Sequence, residues 1–164
     1  MSEVQRIPSG YHTVTPTIFV TGAAQAMDFY QQALGATEVC RHTTPDGSKV
    51  VHGELKIGDS TVFIADEFAD FGMLSPQSLK GNSVTFYLYV ENCDEVFDRA
   101  VSAGATTIRA LEDTFWGDRT GMIGDPYGHK WNISTHVRDV SPEEMAAASE
   151  KFFGDEKQKA EASS

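Results

Sequence analysis

Residues 13–35 read TVTPTIFVTGAAQAMDFYQQALG, and residues 83–104 read SVTFYLYVENCDEVFDRAVSAG. Each opens on a β-branched and aromatic run of strand length. Each then breaks and enters a stretch of helical character. In the first, Ala26, Phe29, Tyr30 and Ala33 with Leu34 fall at i, i+3, i+4 and i+7/i+8, an amphipathic spacing. In the second, Asn92 stands at an N-cap position with Glu95 three residues on, a capping pattern. Gly35 and Gly104 are placed to stop the two helices. Val20 corresponds to Val90 and Gly35 to Gly104, offsets of 70 and 69 residues. A nearly constant offset over a whole strand–helix unit signals an internal duplication.

The stretches that follow each helix repeat as well. TEVCRHTT, KVVHGELKI and STVFIAD are short alternating runs separated by the turn dipeptides Asp46-Gly47 and Gly58-Asp59. TTIRALE, DRTGMIGD and HKWNISTHV follow the second helix, with turn chemistry at Trp116-Gly117-Asp118 and Asp125-Pro126-Tyr127-Gly128. The fold class is therefore α+β, built from two tandem βαβββ modules. One such unit leaves an apolar sheet face open, and its own copy is the natural cover. The expected organisation is an N-terminal arm 1–12 and a single domain 13–137. That domain holds modules 13–66 and 83–137 and a connector 67–82. Pro16 cannot donate to a ladder, which predicts an interrupted or edge-like first strand. Ser141 with Pro142 and Glu143-Glu144 starts a C-terminal helix, 141–153. Residues 154–164 are expected to form a frayed or disordered tail.

With 164 residues, 40% hydrophobic, the chain has enough apolar side chain for one sizeable core. Asp plus Glu is 24 against 13 Lys plus Arg, a formal charge of −11. That balance argues against nucleic acid and anionic membrane as partners, both of which need clustered positive charge. No apolar run approaches a transmembrane span, and MSEVQRIPSGYH has no secretory h-region. Cys40 and Cys93 make no CxxC pair and are expected to be buried free thiols in a cytoplasmic protein.

The FYQQALGA segment after an edge strand, the duplicated unit and the closing DPYGHKWNI resemble the vicinal oxygen chelate superfamily. That group includes glyoxalase I, extradiol dioxygenases and bleomycin resistance proteins. FWGDR followed by DPYGHKW is most similar to its PhnB-like branch. The resemblance implies that the modules form a cupped mixed sheet around a cleft, and that two copies pair as a homodimer. In metal-using members, four ligands of His, Glu or Gln type project into the cleft. Counted from fixed landmarks, these positions fall here on Thr15, Ile64 (or Phe63, if the register slips by one), Thr85 and Asn132. Two hydroxyls, one amide and a hydrocarbon are poor donors for a divalent ion, so no metal and no cofactor are expected at that site.

Strand alternation then assigns the cup lining. If Thr15 and Thr85 face it, so do Thr13, Thr17, Phe19, Tyr87 and Tyr89, with Lys130, Asn132 and Ser134 on the last strand. Val14, Ile18, Val20, Phe86, Leu88 and Val90 should turn to the helices. An aromatic and hydroxyl-lined cleft suits a small, uncharged or mildly polar organic ligand. Trp116 could stack on such a ligand and Arg119 could hold an anionic group. A purely structural turn, with Arg119 paired to a carboxylate, accounts for the same residues. His52 and Glu54 share one face of the third strand. They could act as a base–acid pair or begin a metal site, or they could form an exposed ion pair. His12, His42, His129 and His136 are expected to be surface or satisfied core residues. Two functions follow. One is a metal-free protein that binds a small organic molecule. The other is an enzyme of the same fold, a lyase, isomerase or dioxygenase, using an unplaced metal set or a histidine base.

Overall fold

The alternating runs pair into two four-stranded sheets, each backed by a helix. The computed structural model describes residues 4–162. The first module comprises β1 (Thr17–Val20), α1 (Ala23–Leu34), β2 (Thr37–Thr43), β3 (Val50–Ile57) and β4 (Ser60–Asp66). The connector carries a 3₁₀ turn, Ala69–Phe71, and one helical turn, α2 (Pro76–Leu79). The second module comprises β5 (Thr85–Tyr89), α3 (Cys93–Ser102), β6 (Thr106–Asp113), β7 (Asp118–Gly124) and β8 (Lys130–His136), and α4 (Pro142–Ala162) follows. The sheet orders are β1-β4-β3-β2 and β5-β8-β7-β6. In each, the first strand pairs parallel to the last, and the remaining pairs are antiparallel. The two mixed sheets therefore repeat one topology, as an internal duplication requires.

Local chemistry sets the element ends. β1 starts only after Pro16, whose missing N–H cannot join the ladder, although its carbonyl accepts from the Phe63 amide at 2.8 Å. Thr13–Thr15 precede that strand. α1 begins where Asp66 Oδ1 accepts the amides of Gly22 and Ala23, while Oδ2 accepts that of Val50. One carboxylate thus joins the end of β4, the start of α1 and the start of β3. Gly35 closes α1 in the left-handed region, where a Cβ would be strained. Asn92 Oδ1 accepts from the Glu95 amide and caps α3.

The core lies between sheets and helices, with Met27, Tyr30, Leu55, Ile64, Ile123 and Ile133 fully buried. Each large side chain of this kind contributes about 1.5–3 kcal/mol. The two modules are tied directly. Tyr30 Oη donates to Asp125 Oδ2 (2.6 Å), Arg99 Nε to the Ala33 carbonyl (3.1 Å), and His129 Nε2 lies 3.2 Å from the Phe19 carbonyl.

Three expectations need correction. The C-terminal helix does not stop near Phe153 but runs to Ala162. The Lys-, Glu- and Ala-rich composition beyond Gly154 favours helix, and one glycine costs only about 1 kcal/mol. The ends of the expected arm and tail, residues 1–3 and 163–164, lie outside the described residues. Val14 does not turn to the helix side but is exposed, since it precedes the ladder. Cys93 is a buried core thiol, but Cys40 is only half-buried, because it sits on the open face of the first sheet. Among the described residues, no helix is long and apolar enough to cross a membrane.

Candidate functional site

The edge strands β1 and β5 are not hydrogen-bonded to each other. Between them opens a cavity of about 550 Å³, lined by β1, β5, His129 and the connector. Its walls are Thr17 and Phe19 on one side and Val84 and Phe86 on the other, roofed by Leu74, Pro76 and Leu79. The connector is pinned there by polar contacts. Glu67 accepts from Ser75 N and Ser78 Oγ at 2.8 Å each, and Gln77 Nε2 donates to the Pro126 carbonyl. These bonds hold the Glu67 carboxyl below its ordinary pKa, with the Ser75 amide as the first cause. At the inner wall Phe86 stacks on Trp131, ring centroids 4.6 Å apart, and meets His129 edge-on.

The expected ligand residues distribute unevenly. Phe19 lines this cavity, and Tyr87 lines a second one. Tyr87 and Tyr89 stand open on the sheet face, 46% and 59% exposed. Thr15 borders a third cavity with Tyr11 and Phe63, and its hydroxyl donates to the His12 carbonyl. Ile64 is overturned as a pocket residue. It is 0% exposed and lies against Gly53 on the helix side. Phe63 takes the open face, packing edge-on to Tyr11 and His52. Thr85 is exposed, and Asn132 Oδ1 accepts from Arg109. Arg119 binds Asp94 through two nitrogens at 2.7 and 2.8 Å and Asp113 at 3.2 Å, the carboxylate pairing that the structural alternative describes. Those carboxylates push its pKa up, Asp94 foremost. Trp116 packs edge-on to Phe115, which in turn meets Phe152 of α4. Phe86 was expected only on the helix side, yet it also forms a cavity wall.

A second set of reactive groups converges on the open face of the first sheet. Cys40 of β2 is the cross-strand partner of Glu54 of β3, and His42 is the partner of His52. His52 Nε2 lies 3.0 Å from Glu54 Oε1, and Tyr11 Oη donates to Glu54 Oε2 at 2.5 Å. Ligand atoms of Cys40, His52 and Glu54 all lie within 4.8 Å of one another. The Tyr11 bond, then that of His52, pulls the Glu54 carboxyl down. Burial, then the neighbouring Glu54 charge, pushes the Cys40 thiol up, and the Glu54 hydrogen bond raises the Tyr11 phenol.

The family model described as the Glyoxalase/Bleomycin resistance protein/Dioxygenase superfamily matches residues 11–133. The chain belongs to this superfamily. Uncharacterized proteins of Mycobacterium tuberculosis (Rv0887c) and Mycobacterium bovis (Mb0911c) are 42% identical to it over 138 residues. The match covers 82% of this chain and 81% and 90% of theirs. Among solved structures, TioX from Micromonospora sp. ML1 is similar at 24% identity and a TM-score of 0.58. The alignment covers 77% of this chain and all of TioX. A Bacillus cereus PhnB protein, named as a putative 3-demethylubiquinone-9 3-methyltransferase, aligns at 16% identity with a TM-score of 0.56. It covers 76% of this chain and 99% of that one. These likenesses show the fold.

The superfamily's metal-using members raise the question whether an ion fits the four carried-over positions here. It does not. Thr15 and Thr85 offer only neutral hydroxyls, Ile64 is buried hydrocarbon, and Phe63 offers no donor either. Asn132 Oδ1 already accepts from a guanidinium. Sequence reasoning had two of the three clustered donors, His52 and Glu54. It missed Cys40, which a cross-strand register joins to them, and Tyr11, which reaches Glu54 from the segment before β1.

Proposed function

We propose that this superfamily member binds a small, uncharged or mildly polar organic molecule in the cleft between β1 and β5, without an ion at the four carried-over positions. The observation that carries the reading is the cavity itself. At about 550 Å³ it falls within the range of small-molecule sites. Its walls are mostly apolar, with Phe19, Phe86, Val84, Leu74 and Leu79 for burial and contact. Thr17, Asn82 and His129 supply the few polar groups that would orient a ligand. Affinity would come from stacking and burial rather than from bond chemistry.

Calorimetry with a panel of planar aromatic compounds tests this, with Trp fluorescence as a second readout because Phe86 stacks on Trp131. At least one compound should bind one-to-one, equally well with and without chelator. Val84→Trp, which fills the cleft from one edge, should weaken that binding at least tenfold while leaving the circular dichroism unchanged. No binding across the panel, or binding abolished by chelator, would count against the reading.

A second reading, an enzyme of the superfamily, draws on the His52–Glu54 contact at 3.0 Å. An imidazole so placed could move a proton on a ligand lying over Phe63. Turnover of a bound compound that is lost in His52→Gln would favour it.

A further inference from the structure

We propose that Cys40 Sγ, His52 Nε2 and a Glu54 carboxylate oxygen together hold one divalent transition-metal ion of the zinc class on the open face of the first sheet. The site is separate from the β1/β5 cleft and from the four positions carried over by resemblance. Its residues belong to β2 and β3, not to the first and last strands of the modules.

The geometry favours such an ion. Tetrahedral zinc with bonds of about 2.0–2.3 Å places neighbouring ligand atoms about 3.3–3.6 Å apart. Here the three atoms lie within 4.8 Å of one another, and the His52–Glu54 separation is 3.0 Å. Small side-chain rotations therefore bring them into place. Cys40 and Glu54 are held opposite each other by the β2–β3 register, and His52 lies two residues along the same face. The backbone thus fixes the set in advance. A thiolate, an imidazole and a carboxylate match zinc or cobalt, and not magnesium or calcium, which take oxygen donors.

The charge pattern points the same way. Among the described residues, the salt-bridge partner of Glu54 is His52, with no lysine or arginine beside it. Its side chain is only 13% exposed. Three protic groups, the Tyr11 phenol, the His52 ring and the Cys40 thiol, gather round that one carboxylate. A cation replaces that proton sharing: Cys40 gives up its proton to solvent, and His52 turns the Nε2 lone pair to the metal. Tyr11 keeps its bond to Oε2, which orients the carboxylate and leaves Oε1 for the ion, the usual arrangement around a ligating group. Three protein ligands leave a fourth position for water or for an oxygen of a ligand, as in open metal sites.

The test is metal titration of the full chain. Zinc should bind one-to-one in competition with a chromogenic chelator and raise the melting temperature. The cobalt form should show a thiolate-to-cobalt charge-transfer band in the near ultraviolet. Cys40→Ser should abolish that band, and both Cys40→Ser and Glu54→Gln should weaken zinc binding at least tenfold. Tyr11→Phe should weaken it about tenfold, as loss of a supporting hydrogen bond does. His12→Gln, in a different exposed pair with Asp59, should leave it unchanged. Circular dichroism confirms folding of each variant. Failure to take up either ion stoichiometrically overturns the proposal, and so does a charge-transfer band that survives Cys40→Ser.

Discussion

His136 stands between two carboxylates, with Nδ1 2.8 Å from Asp118 Oδ1 and Nε2 3.1 Å from Asp139 Oδ1. The imidazolium can donate at both nitrogens, so these bonds, that of Asp118 first, raise its pKa. Asp118 also accepts from Tyr89 Oη and pushes that phenol up to about 12. A histidine whose folded pKa lies above the ordinary value of about 6.5 stabilises fully below that value. Its contribution fades as pH rises through the folded pKa. The melting temperature of the wild type should therefore exceed that of His136→Gln most clearly below about pH 6, with the gap narrowing toward alkaline pH. Melting curves across that range check this, and a gap independent of pH would refute it.

Two glycines occupy matching places in the modules, Gly53 on β3 under Met27 of α1 and Gly121 on β7 under Phe97 of α3. A Cβ at Gly53 would lie 2.9 Å from Met27 Sδ and 3.0 Å from Ile64 Cγ2. At Gly121 it would lie 2.7 Å from Phe97 Cε2 and 3.1 Å from the Arg109 carbonyl oxygen and the Leu111 amide nitrogen. Methionine can swing aside, but a strand backbone cannot. Gly121→Ala should cost about 2–3 kcal/mol and Gly53→Ala about 1 kcal/mol, measured by urea unfolding. Such elements were largely legible beforehand. Turn glycines, the Asn92 cap and the repeat offset located most strands and helices to within about two residues, but the first strand begins at Thr17 rather than Thr13 and the last helix runs past Phe153. What escaped was facing and register. Ile64 and Phe63 are both apolar, and only pairing with Gly53 under α1 shows which one turns inward. Cys40 follows an irregularity in β2 between Glu38 and Cys40, so simple alternation cannot assign its partner.

At the scale of the whole chain, Asp125 joins the halves. Its Oδ2 accepts from Tyr30 Oη and Trp131 Nε1, and its Oδ1 from the amides of Tyr127 and His129. Removing the acceptor strands these donors in the core, each at about 1–3 kcal/mol. Asp125→Ala should lose at least about 3 kcal/mol by urea unfolding, while the exposed Asp59→Ala should change little. A loss near zero would show that the two halves do not depend on this carboxylate. Tyr30 has a further consequence. At the 70-residue offset the buried α1 residues Ala23, Met27 and Tyr30 answer to Cys93, Phe97 and Ala100 of α3, and all six are buried. The helices that pack on each other thus carry a bulky ring on one partner and a methyl on the other. The two repeats are therefore no longer interchangeable at this position: an alanine there, as in α3, has no hydroxyl to donate to Asp125.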